Sequence, residues 1–164
     1  MIPLLARIQR YRLAALAGRS ISLPGPTGED NRIRFVPRGT VAGVAAGMAG
    51  LLHQIAAALA SGNRIVLADS ELAQRLHSAL PELPARSVSL AADPLATPLS
   101  VLLFDGDGDE ADPLRRRLAA REGPIVPLLM PEHDYDLTRL VHERTVSINT
   151  AAAGGNASLM TIGN

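Results

Sequence analysis

The sequence predicts a doubly wound α/β domain, in which a parallel β-sheet has helices on both faces. An N-terminal helix precedes this sheet and a glycine-rich C-terminal tail follows it. Three observations predict the sheet. Apolar runs of strand length recur along the chain, segments with helical spacing of apolar residues alternate with them, and Gly, Pro or Asn stands where these segments end.

The composition excludes several classes of chemistry. The 164 residues include no Cys, and all 16 basic residues are Arg because Lys is absent. Disulfides, thiolate nucleophiles, zinc fingers and lysine-dependent cofactor chemistry are therefore excluded. Trp is also absent, which argues against a base-stacking surface for nucleic acid. No apolar run has the length of a membrane span and no signal peptide is recognisable, so we expect a cytoplasmic location.

Residues 1–38 form a predicted N-terminal unit. Apolar residues at helical spacing predict a helix that ends at Gly18, and its apolar face holds Leu4, Ile8, Tyr11 and Ala15. A turn rich in Pro and Gly at 23–29 then leads into an extended piece at 33–36. The unit has seven Arg and two acids. This weak basic excess favours a solvated helix face over a surface for nucleic acid or membrane.

Residues 39–149 form the predicted α/β unit. Strands are expected at 40–46, 65–67, 86–90, 99–104, 125–129 and 145–148, and helices at 48–60, after Asp69 or Ser70, from Asp112 and at 137–142. The helix at Asp112 is predicted to begin there because Asp is a good N-cap and Pro113 suits the first helical position. Any chemistry is expected in the loops after the strands.

The loops that follow two of these strands have structural explanations. Gly47 and Gly50 do not complete a G-x-G-x-x-G pattern and are a weak dinucleotide signal. The acidic loop at 105–110 departs from calcium-hand spacing, and a chain without Lys cannot complete a phospho-acceptor site of the receiver type. A solvated acidic loop that favours the start of the next helix is the better interpretation.

The histidines do not form a recognisable site. His53 and His77 fall within predicted helices without an obvious partner, which favours a structural role. His133 and His142 each stand beside an acid but lack a metal-ligand spacing. No Gly-x-Ser-x-Gly elbow is present either. The sequence therefore predicts no catalytic residue and no metal site.

The tail at 150–164 is uncharged, small and glycine-bearing. Disordered tails are usually charged and rich in Pro, and small residues allow close approach of the backbone to another surface. The composition is therefore compatible with docking on a neighbouring domain or subunit and, equally, with a frayed terminus.

The ALASGNRIVLADSE stretch at 58–71 resembles the alaaGNtvvlKpsE motif in the cofactor domain of the aldehyde dehydrogenase superfamily. The segment at 103–107 stands where that superfamily has its FTGS turn, and 145–149 resembles its strand after the catalytic domain. The resemblance implies a Rossmann-like fold without room for a catalytic domain. Ala68 replaces the cofactor-contacting Lys, and negative charge lies where phosphate would bind. We therefore expect no cofactor at the degenerate positions Ala68, Asp105, Gly106 and Asp107.

Two further segments, 23–29 and 147–160, resemble the extreme C-terminus of the proline utilization A (PutA) family. Long members join an FAD-dependent proline dehydrogenase to an NAD-dependent L-glutamate-γ-semialdehyde (pyrroline-5-carboxylate) dehydrogenase. The resemblance implies a non-catalytic C-terminal domain that supports the aldehyde dehydrogenase activity and helps enclose the substrate-channelling path. No cofactor is expected in this segment, whereas the parent polypeptide would use FAD and NAD.

The resemblance also implies partners. They are the aldehyde dehydrogenase and proline dehydrogenase parts of the same polypeptide, and a homo-oligomer is left open. Some parents also bind DNA or lie at the inner membrane face, but no nucleic-acid contact is expected from this segment. The implied docking residues are Pro24, Gly25, Pro26, Thr27, Gly28, Asn149, Thr150, Gly154, Gly155, Asn156 and Ser158. The alternative is a free-standing NAD- or nucleotide-binding module that uses the loops at 47–50 and 105–109.

Overall fold

The computed structural model describes residues 4–149, which form two β-sheets and five α-helices. In chain order the elements are α1 (Leu4–Ala14), β1 (Ser20–Leu23), β2 (Glu29–Pro37), β3 (Thr40–Ala45), α2 (Met48–Ala60), β4 (Arg64–Ala68), α3 (Glu71–Ala79), α4 (Glu82–Ala85), β5 (Val88–Ala91), β6 (Val101–Asp105), α5 (Gly108–Ala119), β7 (Leu128–Leu129) and β8 (Val141–Asn149). Two 3₁₀ turns lie at Pro94–Ala96 and Leu137–Leu140.

The larger sheet has five parallel strands in the order β5-β4-β3-β6-β7. The chain builds outward from β3 through β4 to β5 and then crosses to β6 on the other side of β3. The strand order therefore reverses between β3 and β6, and this crevice is called the switch point below. The predicted parallel α/β sheet is confirmed.

Helices cover both faces of this sheet because its strands are apolar on both sides. Ile65 and Leu67 of β4 pack with buried residues of α2 and α3. The intervening residue, Val66, packs on the opposite face with Leu102 and with Leu118 of α5. Helix α1 joins the α2 side, where Tyr11 packs against Ala57. This arrangement is the doubly wound form that the sequence predicts.

A second sheet of three antiparallel strands, in the order β1-β2-β8, stands apart from the parallel one and is called the flap. The extended piece predicted at 33–36 is the middle of β2. A strand is present at 145–148, but its predicted place in the parallel sheet is wrong. It belongs to β8, which pairs with β2 along nine residues. Eight of the nine β8 residues are exposed, so this strand lacks the apolar run that marks a strand buried in a parallel sheet.

The predicted start of the last long helix is also wrong. Helix α5 begins at Gly108 rather than at Asp112, and Pro113 lies inside it. The Asp107 side chain accepts a bond from the Glu110 N–H at 2.8 Å, and the Glu110 side chain accepts one from the Asp107 N–H. This reciprocal capping box satisfies two backbone donors and begins the helix before the proline.

Some shorter elements differ in extent from their predictions. The strand expected at 125–129 is reduced to β7, and Ile125 lies outside the sheet with 95% of its surface exposed. The helix expected at 137–142 is a 3₁₀ turn that leads directly into β8. The strands expected at 86–90 and 99–104 are present as β5 and β6, each shifted by one or two residues at its ends.

Asn63 holds the end of α2 to the start of β3 and to the turn before β8. Its Oδ1 accepts the Gly39 N–H at 2.8 Å, and its Nδ2 donates to the Leu140 carbonyl at 2.8 Å. Nδ2 also donates to the Ser61 hydroxyl oxygen at 3.0 Å. Gly62 precedes it with a φ of +73°, a backbone conformation that favours glycine. The Gly-Asn pair of the dehydrogenase-like motif therefore joins three elements here.

We expect Asn63→Ala to lower the free energy of unfolding by about 3 kcal/mol, because it leaves the buried partners of the amide unsatisfied. Urea denaturation of the 164-residue chain measures this change, with an unchanged slope against denaturant. Gln74→Ala is the matched control, since it removes an exposed amide whose Nε2 contacts Asp69. Equal effects of the two substitutions would contradict the role of Asn63.

Candidate functional site

The carboxyl ends of β3, β4 and β6, where this fold class binds ligands, are called the cofactor edge here. Ala68 is exposed at the end of β4 and brings no polar group to this edge. Asp105 ends β6, and its carboxylate lies on Gly50 in the first turn of α2. A Cβ added at Gly50 would stand 2.1 Å from Asp105 Oδ2. No side chain caps α2 at Gly47, and its first turn contains no acid. Asp105 therefore supplies negative charge near this positive helix end.

The start of α5 also holds the chain's own acids. Asp107 and Glu110 cap this helix reciprocally, as described above. Gly106 lies between them and the preceding strand, and a Cβ there would stand 2.3 Å from the ring of Phe104 and 2.6 Å from Glu110 Oε2. The tight turn thus leaves no room for a side chain at 106. The acidic residues favour a helix start, as predicted, but part of the predicted loop is helical because α5 already begins at Gly108.

Gln54 of α2 crosses beneath the switch point. Its Nε2 donates to the Val44 carbonyl of β3 at 2.8 Å and to the Leu103 carbonyl of β6 at 3.2 Å. Gly43 lies against it, since a Cβ at that glycine would stand 2.6 Å from Gln54 Oε1. A buried side chain of the domain itself therefore joins the two strands at the point where the strand order reverses.

A buried polar cluster joins α1 to α2 next to this crevice. The Tyr11 hydroxyl accepts the Tyr135 N–H at 2.7 Å and lies 2.5 Å from His53 Nε2. Because the hydroxyl already accepts one bond, its own proton is available to donate to a neutral His53. The His53 ring stacks on Tyr11 with centroids 5.7 Å apart and packs against Tyr135 at 4.7 Å.

Ion pairs lie at the outer side of this cluster. Arg7 Nε is 3.1 Å from Asp134 Oδ1, and Arg10 Nη2 is 2.5 Å from Asp134 Oδ2. The first of these carboxylate oxygens also lies 3.7 Å from His53 Nε2. Two of the arginines that make the N-terminal unit basic are therefore paired with an acid of the same chain.

Burial governs the titration of the cluster. Desolvation, reinforced by the Arg7 charge, lowers the pKa of His53 to about 4. Burial likewise raises the pKa of the Tyr11 and Tyr135 hydroxyls above the ordinary value. The histidine is therefore neutral near pH 7 and can accept a hydrogen bond from the Tyr11 hydroxyl, which keeps its proton.

This cluster of Tyr11, His53 and Tyr135 was not predicted from the sequence. The structural role of His53 stays a prediction, but the expected lack of a partner is wrong, because Tyr11 and Tyr135 pack against its ring. The available signal was the position of Tyr11 on the apolar face of the first predicted helix. His77 lies 3.3 Å from the Ala85 carbonyl, His133 is exposed, and His142 pairs with Val36 across the flap.

The flap brings together the two described parts of the predicted docking surface. Pro24, Gly25, Pro26, Thr27 and Gly28 form the turn between β1 and β2, and Asn149 pairs with Glu29 immediately after that turn. Gly28 has a φ of +92°, and a Cβ at Gly25 would stand 2.4 Å from Asn31 Nδ2. Thr150, Gly154, Gly155, Asn156 and Ser158 lie outside the described residues.

Residues 4–149 contain neither a metal-ligating cluster nor a membrane-spanning helix. Within that range, no group of three or more His, Asp or Glu side chains has the arrangement of a metal site. None of the helices in the same range is long and apolar enough to cross a membrane.

No protein-family model matches the chain. It is 42% identical over 159 residues to the bifunctional protein PutA of Escherichia coli and 38% identical over 155 residues to that of Rhizobium meliloti. The alignments cover 94% and 89% of this chain. The chain spans only 12% and 13% of the length of those curated relatives.

Solved structures agree with this similarity. A mutant of Bradyrhizobium japonicum proline utilization A has a TM-score of 0.62 at 30% identity, over 77% of this chain and 15% of that one. An NAD-dependent benzaldehyde dehydrogenase from Corynebacterium glutamicum has a TM-score of 0.55 at 18% identity, over 78% of this chain and 32% of that one. The latter likeness shows the fold alone.

The chain thus has the α/β fold of the aldehyde dehydrogenase class. The sequence similarity identifies a narrower group of proteins than the fold does. Over about nine tenths of its length, the chain is homologous to a segment of the bifunctional PutA proteins. The resemblance to that family predicted from the sequence is confirmed.

We expect the His53 cluster to make stability depend on pH. Because the pKa of His53 is lowered to about 4 in the folded chain, its contribution is present above the ordinary value of 6.5 and is lost as the pH falls towards 4. The loss should be roughly 1–3 kcal/mol between pH 7 and pH 4.

Chemical denaturation at several pH values measures this contribution as the difference between the unsubstituted chain and His53→Gln, which retains an acceptor for Tyr11. The exposed His133→Gln is the control and should leave the pH dependence unchanged. A His53→Gln variant with the same pH dependence as the unsubstituted chain would exclude this source of the effect.

Proposed function

We propose that this chain is a non-catalytic C-terminal domain of a bifunctional PutA enzyme that oxidises proline to glutamate. In that parent polypeptide it supports the aldehyde dehydrogenase activity and helps enclose the path along which the intermediate passes between active sites. The similarity to PutA proteins over most of the chain supports the parent. The observation that carries the non-catalytic role is the Asp105 carboxylate on Gly50 at the cofactor edge.

The chemistry of that edge opposes cofactor binding. A dinucleotide pyrophosphate needs backbone N–H groups and positive potential at a helix N-terminus. Here the first turn of α2 faces Asp105, and the first turn of α5 is capped by Asp107 and Glu110. A phosphate would meet carboxylates at both helices, without a Lys to offset them. The FAD and NAD of the proposed enzyme therefore belong to other parts of the parent polypeptide.

The flap is the proposed docking surface towards those parts. Its hairpin turn and the end of β8 lie side by side, so residues 24–28 and Asn149 can contact one partner surface together. Ile21, Leu23, Val146 and Ile148 expose apolar surface on the same sheet. The partners in this proposal are the aldehyde dehydrogenase and proline dehydrogenase parts of the same polypeptide. The proposed location of the parent is the cytoplasm.

Deleting residues 150–164 from the parent enzyme tests this role. We expect coupled turnover from proline to glutamate to fall severalfold, while proline dehydrogenase activity, measured with an artificial electron acceptor, stays largely intact. The physical reason is that the tail would complete a surface that encloses the intermediate, whereas proline oxidation occurs elsewhere. Replacing the exposed Arg116 with Glu on α5, far from the tail in sequence, is the control. Unchanged coupled turnover in the deletion variant would refute the role.

The alternative function is a free-standing nucleotide-binding module, favoured by the likeness of the fold to an NAD-dependent dehydrogenase. Calorimetric titration of the 164-residue chain with NAD at low salt separates the two. We expect no saturable heat, because Asp105 and Asp107 place negative charge where the phosphates would bind. Saturable micromolar binding, lost when Gly50→Val obstructs the first turn of α2, would establish the module instead.

A further inference from the structure

An apolar groove lies between α1, α2 and the turn that joins α3 to α4. Its volume is about 430 Å³, and its walls include Leu4 and Ile8 from α1, Leu52, Ala56 and Leu59 from α2, and Pro84 from α4. It is separate from the cofactor edge, since none of its lining residues belongs to β3, β4 or β6. The groove is also separate from the docking surface proposed on the flap.

The residue spacing along the groove suits a third helix. Leu4, Ile8 and Arg12 repeat every four residues along α1, and Leu52, Ala56 and Ala60 do so along α2. Rows with this spacing form the ridges between which a further helix packs. Ala56 and Ala60 are small, so the backbone of an incoming helix can approach α2 closely. An amphipathic helix in a groove is a recurrent mode of protein recognition.

Two exposed leucines neighbour the groove in sequence. Leu5 is 75% exposed and Leu83 is 77% exposed, next to the lining residues Leu4 and Pro84. Exposed apolar side chains near a groove favour a protein partner, which can bury more surface than a small ligand.

Arg12 supplies the charge at this surface. Its side chain lines the groove and has no hydrogen-bond or ion-pair partner among residues 4–149, unlike Arg7 and Arg10, which contact Asp134. A partner that places a carboxylate beside Arg12 would gain charge complementarity as well as burial.

We propose that the groove receives an amphipathic helix with an acidic residue opposite Arg12, from the part of the parent polypeptide outside these 164 residues. This inference rests on the proposed function, since it requires that parent. The relatives supply ample chain for such a helix, because the present sequence spans 12% of the Escherichia coli protein. It adds a second docking surface, made of helices, to the flap.

Photo-crosslinking in the full-length parent tests the groove. Benzoylphenylalanine is placed at the position of Ile8, which is already half-exposed, and crosslinked peptides are identified by mass spectrometry. We expect crosslinks to one peptide outside the 164 residues, with apolar residues every three or four positions and at least one acid. The same probe at Arg116, on the opposite face of the sheet, should not capture that peptide.

Variants at Arg12 test the charge. Arg12→Glu should lower the crosslink yield severalfold through like-charge repulsion, whereas Arg12→Lys and the control Arg116→Glu should retain it. Crosslinks confined to these 164 residues or to a second copy, or none at all, would overturn the inference. Coupled turnover of each variant is measured alongside. If deletion of the tail lowers coupled turnover while benzoylphenylalanine at position 8 captures no peptide outside the 164 residues, helix binding by the groove would be refuted. That result would leave the proposed function standing.

Discussion

The hydrogen bond between the Tyr11 hydroxyl and His53 connects the N-terminal helix to the rest of the molecule. Because the hydroxyl also accepts the Tyr135 N–H, one side chain joins α1, α2 and the loop before β8. A neutral imidazole can accept this bond at Nε2, and burial favours the neutral form by lowering the pKa of His53 to about 4. The position of α1 sets the wall of the apolar groove, and the chain leads from this helix directly into the flap. The wall of the groove therefore depends on the position that this contact gives to α1.

The cofactor edge keeps two helix N-termini, and acids of the chain itself lie at both of them. The helix ends that would attract phosphate remain, and their unpaired N–H groups still favour negative charge. Asp105 and the pair Asp107 and Glu110 supply that charge from within the chain. The chain thus supplies from its own side chains the stabilising interaction of negative charge with a helix N-terminus. This interaction explains why acids follow β6 without forming a metal site.

Elements with strong local signals were predictable from the sequence, and elements decided by distant contacts were not. Helix α2 matches its predicted range because apolar residues recur along it and Gly62 ends it. Helix α5 was misplaced because Asp112 and Pro113 look like a start, while the capping box at Asp107 and Glu110 satisfies more backbone donors. Strand β8 is exposed on both faces, so its partner strand could not be read from periodicity. The His53 cluster includes Tyr135, which lies 82 positions further along the sequence. A contact between residues so far apart cannot be predicted from local sequence patterns.

The pairing of β2 with β8 affects how the chain is made. Phe35 pairs with Glu143, so β2 leaves the ribosome about 100 residues before its partner strand. At about 5–20 residues per second, this wait lasts on the order of 5–20 s. During synthesis β2 has only β1 beside it, and an unpaired strand edge is a template for aggregation. The charges of Asp30, Arg32 and Arg34 along β2 make that edge a poor template. The parallel sheet can form first, after which β8, the last of the strands described in residues 4–149, closes the flap.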